Sequence, residues 1–309
     1  MPRYIAPGVI EIDTLLGGWN QVTAGYLIEG PAPVLVETGS QSSVPVLLAA
    51  LAELGVAAGD LAGVAVTNIH LDHAGGVGDV ARAFPKATVY VHPKGARHLA
   101  QPDRLVASAA IVYGEALDSL YGRLQPTEPS RVKALDDGEE IQVGGGRSLV
   151  AVHSPGHAKH HIALHDSESG VLFAGDAVGV KLPGAGVLRP ATPPTDFDLV
   201  QALDSLERFV ARSPAAVALA HYGILPGEPA LALAEAAEEL REWASVAEDA
   251  WRQGRDVEEA LSRRYRPQLD ALPEQQRLRV ETLNGIHSNA EGLKMWLARS
   301  GGDTGRDGQ

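Results

Sequence analysis

Apolar residues along the first two thirds of the chain fall in short blocks punctuated by glycine, proline and polar positions, a pattern of strands and crossover helices. Residues 9–13, 22–29 and 34–37 read as opening antiparallel strands of one sheet. Val44, Leu47, Leu48, Leu51 and Leu54 then fall at helical spacing and stop at Gly55, predicting a helix that crosses back to a strand at 64–66. That is the βαβ pattern of an α/β layer. Residues 78–84 predict another helix and 88–92 another strand. Residues 99–131 read as a helical insertion carrying Tyr113 and Tyr121. The run 131–150, turned at Asp137-Gly138 and at Gly144 to Gly146, is expected to begin the second half of a sandwich. Further apolar runs at 149–152, 171–174 and 217–220 read as buried strands, and 198–210 as a helix.

From residue 228 the pattern changes. Leu233, Leu240 and Ala247 recur at intervals of seven, joined by Trp243 and Trp251, so a long amphipathic helix is predicted up to Gly254. Helices at 257–265 and 274–299 follow. The expected organisation is an α/β domain over 1–227, an all-α appendage over 228–299, and a disordered tail over 300–309 that has no apolar anchor.

Several of the predicted strands end in side chains that bind metals. The stretch VAVTNIHLDHAGGV, residues 64–77, runs from a strand through His70, Asp72 and His73 to Gly75-Gly76. Strand alternation is expected to give His70 and Asp72 one direction, with the turn bringing His73 beside them. His157 follows a Pro-Gly turn, Asp176 follows Gly175, and His221 follows the strand at 217–220. With no cysteine in the sequence, any metal must be held by histidine, carboxylate and water. His92 and His98, by contrast, are expected to cap or bond locally.

These motifs, HLDH preceded by Asn68, then PGH, GD and a last His, resemble the metallo-β-lactamase superfamily from about the N-terminus to Gly223. The resemblance implies a four-layer αββα sandwich, here with the C-terminal all-α appendage. It also implies a site for zinc, one or two ions per chain, with iron or manganese as alternatives. Asn68, His70 and His157 would hold one ion and Asp72, His73 and His221 the other, bridged by Asp176. Asn68 departs from the family pattern, which has histidine there, and an amide oxygen is a far weaker zinc donor than imidazole. Glu37 stands where the family has an aspartate; the resemblance implies that it supports the ligands from behind, and a solvated strand end is the alternative reading. Asp72 is the catalytic candidate; His161, Tyr113 and Tyr222 are the candidate substrate contacts.

The activity implied is hydrolysis of an ester, thioester or lactone, with phosphodiester or organophosphate cleavage as the nearest alternative. Two readings of other classes stand beside it: an iron-dependent persulfide dioxygenase, which would need the histidine that Asn68 replaces, and a metal-binding variant impaired in turnover. The net charge of −13 and the lack of a dense basic run argue against nucleic acid and anionic membranes as partners. A small-molecule substrate is expected, with self-association left open. Without a signal-like segment, the cytoplasm is the expected compartment.

Overall fold

The computed structural model describes residues 2–186 and 188–301, so the expected tail lies outside the described residues from 302 onward. The chain forms two compact units. One holds residues up to His153, His160–Gly175 and Pro214–Leu225; the other holds Ser154–Lys159, Asp176–Ser213 and the chain from Pro226.

The first unit contains both sheets. In the first sheet β1 (Arg3–Ala6), β2 (Val9–Asp13), β3 (Ala24–Ile28) and β4 (Val34–Val36) pair antiparallel in sequence order. The chain then crosses through α1 (Val44–Glu53) to β5 (Gly63–Ala65), through α2 (Leu71–Ala74) and α3 (Val77–Ala83) to β6 (Thr88–Val91), and through α4 (Pro93–Ala100) and α5 (Asp103–Tyr113) to β7 (Val132–Ala134). Each of these strands pairs parallel with the one before. The fully buried Val-Leu-Val of β4 is what a parallel strand covered on both faces requires.

The second sheet is β8 (Glu140–Gly144), β9 (Arg147–His153), β10 (Ile162–Asp166), β11 (Val171–Gly175), β12 (Ala216–Leu219) and β13 (Gly223–Ile224). The run from residue 131 therefore does not open the second sheet. Its first strand, β7, lies beside β6 with Val89 opposite Val132, because the α4–α5 crossover returns the chain parallel. The second sheet begins only at β8, where the alternating burial of Glu140 to Val143 marks a half-exposed edge.

The two sheets share one core, in which Tyr26, Ile28, Val36, Ile141, Leu164 and Phe173 are buried together. Polar links also join the sheets. Tyr26 Oη donates to Leu219 O at 2.5 Å, Ala24 N to Ala220 O at 2.8 Å, and Ile162 N to Thr67 O at 2.7 Å. These bonds tie the ends of β12 and β10 to the first sheet.

In the second unit, α6 (Leu199–Ala211) packs against α7 (Pro229–Arg252), which packs against α8 (Val257–Asp270) and α10 (Ile286–Gly301). The helix expected over 274–299 is instead two, α9 (Glu274–Asn284) and α10, broken at Gly285, whose φ/ψ of −69° and 157° is extended. An added Cβ there would meet Glu281 O at 2.5 Å. Helix α8 runs past the expected end at residue 265 and includes Pro267. Among the described residues no helix is long and apolar enough to cross a membrane.

Candidate metal centre

In the first unit the chain leaves the carboxyl end of β5 and enters the single turn of α2, with His70 at its N-cap. Asp72 and His73 are therefore presented by a helical turn, not by strand alternation. This arrangement needs Gly75: an added Cβ would lie 2.2 Å from Leu71 O and 2.8 Å from Gln41 N. Thr38, just past β4, fixes the turn from below, its N–H and Oγ1 both donating to His73 O at 3.0 and 2.8 Å.

His221 arrives from the end of β12. Its Nδ1 donates to Val22 O at 3.0 Å, and its Nε2 lies 3.3 Å from His73 Nε2 and 3.4 Å from Asp72 Oδ2. His73 Nδ1 faces Glu37 Oε2 at 3.3 Å, while Glu37 Oε1 accepts from Thr67 N at 3.1 Å. The electrostatics follow from these bonds. Val22 O only accepts, so His221 Nδ1 carries the proton in the neutral ring and its Nε2 presents a lone pair, while the Glu37 carboxylate beside His73 Nδ1 favours the same tautomer there. Two lone pairs and a carboxylate thus converge in a buried place where they repel each other unless a cation lies among them. Glu37 thus stands behind the His73 ring, on the side away from Asp72 and His221.

His70, half-buried, stands edge-on to His160 with ring centroids 5.3 Å apart, and Ile69 N donates to His160 Nδ1 at 3.4 Å. Asn68 is completely buried, and its Oδ1 accepts from His70 N at 2.8 Å. The amide oxygen is thus engaged in forming the turn.

The candidate substrate contacts fall in three different settings. His161 is completely buried, and a Cβ on Gly175 would lie 2.6 Å from its Nε2, so it packs inside the sandwich away from solvent. Tyr222 packs on the shared core; burial, and then the Glu11 carboxylate, push its phenol well above the usual range. Tyr113 is exposed and pairs with the buried Tyr121 at 4.5 Å between centroids. Burial raises the Tyr121 phenol most, followed by its neighbours Tyr113 and Asp72, which places Tyr121 on the side of the insertion nearer the metal turn. Helical spacing alone does not reveal that difference. His92 caps α4, its Nδ1 accepting from Lys94 N at 3.0 Å, and burial beside His153 lowers its pKa to about 4.

In the second unit His157 and Asp176 come together, Nε2 to Oδ2, at 3.1 Å. His157 Nδ1 donates to Ala191 O at 3.0 Å, which again turns the lone pair of Nε2 toward the carboxylate. The Pro-Gly turn before it is pinned to α6: Asp198 N donates to Gly156 O at 2.8 Å and Ser205 Oγ to Pro155 O at 2.6 Å. Gly156 has φ +133°, and an added Cβ would meet the Ala202 backbone at 2.3 Å. His157 and Asp176 stand in a pocket of about 270 Å³, its open mouth included, with walls from Val178, Phe197, Leu206 and Leu240. The loop that follows is held by Asn289, whose Oδ1 accepts from Thr192 N at 2.7 Å.

Comparison with known proteins agrees with these features. The family model for the metallo-beta-lactamase superfamily matches residues 17–221, more than half of the chain. The chain is 31% identical over 166 residues to the metallo-beta-lactamase fold-containing protein ST1585 of Sulfurisphaera tokodaii, covering 52% of this chain and 60% of that one. The solved structure of ST1585 superposes with a TM-score of 0.69 at 23% identity, covering 93% of this chain and 98% of that one, a likeness of fold. A hydroxyacylglutathione hydrolase of Synechococcus is 30% identical over 183 residues, 59% of this chain and 58% of that protein. The human acyl-coenzyme A thioesterase MBLAC2 is 32% identical over 119 residues, 36% of this chain and 39% of its own. The chain thus spans at most 60% of the length of these curated relatives. With its paired sheets, its C-terminal all-α segment and its histidine and aspartate clusters, the chain belongs to the metallo-beta-lactamase superfamily.

Proposed function

We propose that this protein is a zinc-dependent hydrolase of thioesters, working with Asp72, His73 and His221 as one ligand set. The observation that carries the reading is the convergence of two imidazole rings and the Asp72 carboxylate, with His221 Nδ1 committed to Val22 O and His73 Nδ1 facing the Glu37 carboxylate. That donor set fits a divalent ion of zinc type, for which histidine nitrogen and carboxylate oxygen are ordinary ligands. By the family pattern, His157 and Asp176 would be ligands of a second ion. Asn68 is assigned no bond to it, since an amide oxygen is a weak zinc donor and this one also serves the His70 N–H.

When bound, such an ion polarises an acyl carbonyl and supplies hydroxide near neutral pH. The chain's own part is positional. Val22 O fixes the tautomer and orientation of His221, and the Glu37 carboxylate favours the matching tautomer of His73. Asp72, partly exposed, orients the attacking water and takes up its proton. The relatives favour a thioester over a phosphodiester, since one is a hydroxyacylglutathione hydrolase and another an acyl-coenzyme A thioesterase by name. A persulfide dioxygenase would need imidazole at position 68, where this chain has Asn68.

The test is thiol release from short acyl-coenzyme A and acylglutathione substrates. Turnover is expected in zinc-loaded protein, with a loss of about a hundredfold or more in Asp72→Asn. Thiol release that is equal in the variant or in chelated protein would overturn the reading.

A further inference from the structure

The second unit contains a group that the metal chemistry does not use. Arg189 is 3% exposed, and none of its three guanidinium nitrogens has a hydrogen-bond partner among the described residues. Its backbone is fixed at both ends: Arg189 N donates to Val180 O at 2.9 Å and Val180 N to Arg189 O at 2.8 Å, while Asn284 Nδ2 donates to Pro190 O at 3.0 Å. The guanidinium lies over Trp243 of α7, 5.1 Å from the ring centroid, and Trp243 stacks on Tyr265 of α8 at 4.3 Å and 14°. The Tyr265 hydroxyl is likewise buried and unpartnered. Four donor atoms therefore lie in one buried neighbourhood.

Leaving a guanidinium buried without acceptors is among the costlier arrangements a protein can hold. Burial lowers its pKa to about 10, with Glu239 the largest opposing influence, so it remains a cation at neutral pH. Among the described residues Glu239 makes no ion pair with it, and Glu281 is engaged by Arg266 at 2.5 Å. What the site offers is thus donors on a planar cation and a phenol, with acidic side chains nearby. A carboxylate fits the fork of a guanidinium with two parallel bonds. Glu239 disfavours a second negative charge, and so a phosphate dianion.

We propose that Arg189 and Tyr265 form a binding site for the carboxylate of a small organic acid within the helical unit. The carboxylate takes the unpartnered N–H edge of the guanidinium, whose face is covered by Trp243, and accepts a further bond from the Tyr265 hydroxyl. The same two segments, 189–191 and the middle of α7, also wall the pocket at His157 and Asp176 through Pro190, Ala236 and Leu240. The site itself is independent of any metal, and the proposal does not depend on the thioesterase reading.

The test uses the full chain, with acetate, propionate and phosphate each titrated against chloride at fixed ionic strength, followed by calorimetry and thermal unfolding. Saturable binding of one acetate or propionate per chain is expected, with a rise in Tm. Arg189→Met should weaken it about tenfold or more, and Arg189→Lys should retain part of it as a point charge. Without carboxylate, Arg189→Met should be at least as stable as the parent, because it removes an unpaired buried cation. Should Arg189→Met fail to fold, Tyr265→Phe, which deletes one hydroxyl, should still weaken acetate binding several-fold. Absence of saturable carboxylate binding, preference for phosphate, or unchanged affinity in these variants would overturn the proposal.

Discussion

Glu37 shows how much of the site depends on one residue behind the ligands. It sits at φ +65° at the end of β4, an uncommon backbone for a non-glycine residue, and so aims its carboxylate at both Thr67 N and His73 Nδ1. Glu37→Gln keeps the shape but removes the charge that makes His73 a stronger donor. Metal affinity, measured by chelator competition, is expected to fall about 10- to 100-fold, with the circular dichroism spectrum unchanged. Arg147 and Asp166 make a second residue-scale case. Arg147 Nε donates to Asp166 Oδ1 at 2.9 Å and Nη2 to Oδ2 at 2.5 Å, both residues being buried in the second sheet. Burial alone would raise the Asp166 pKa, but the bonds from Arg147 and Ser169 outweigh it and hold the carboxyl below its ordinary 3.8. Folding therefore favours the ionised form. The stabilisation is complete above the unfolded value and is lost as pH falls through the lower folded one. Asp166→Asn should cost about 3–5 kcal/mol at neutral pH, and denaturant titrations should show the gap between parent and variant narrowing below about pH 4. A gap constant down to pH 2 would contradict this. At this scale the histidine and aspartate clusters were legible in the sequence because several of these residues follow apolar runs directly, although His92 in the same setting only caps a helix. Arg189 was not: a lone arginine in a Gly- and Pro-rich loop reads as surface, and its burial depends on Trp243 and Tyr265, far along the chain.

Among the elements, the metal turn is the most constrained. Helix α2 is one turn long and cannot be stable by itself, so its position rests on Thr38 below and on the close approach that Gly75 permits. Gly75→Ala would force Leu71 O and the 40–41 backbone apart. Metal content is expected to drop while the sheets remain intact, as read by elemental analysis beside thermal unfolding; full metal occupancy in the variant would show that α2 tolerates the shift. The Gly-Gly after HLDH signals this need in the sequence, whereas the helical turn itself does not, since four residues carry too little periodicity to register. The same limit explains the other differences. The three residues of β7 look the same whether they join the first sheet or the second, and only pairing with β6 decides. The break at Gly285 sits inside a polar helical pattern, so glycine alone did not separate α9 from α10.

For the whole molecule, the alternation of short apolar strands with crossover helices had already indicated an α/β protein, and the order of strand-end histidines and aspartates pointed to the superfamily. The sequence divides most visibly near residue 227, where strands give way to helices. The compact units divide differently, because Ser154–Lys159 and Asp176–Ser213 group with the chain from Pro226. Helix α6 buries Ala202, Leu206 and Phe209, and its partner α7 begins only at Pro229, so a linear boundary separates elements that pack together. Periodicity reports which face of a helix is apolar but not which distant helix will cover it.

The central claim is that Asp72, His73 and His221 are arranged to hold a divalent ion. The most direct measurement is elemental analysis of protein purified without chelator or affinity metal, with His221→Ala prepared in parallel. At least one zinc-type ion per chain is predicted in the parent, with a clear loss in the folded variant. A parent without transition metal, or a variant retaining the parent's full content, would contradict it.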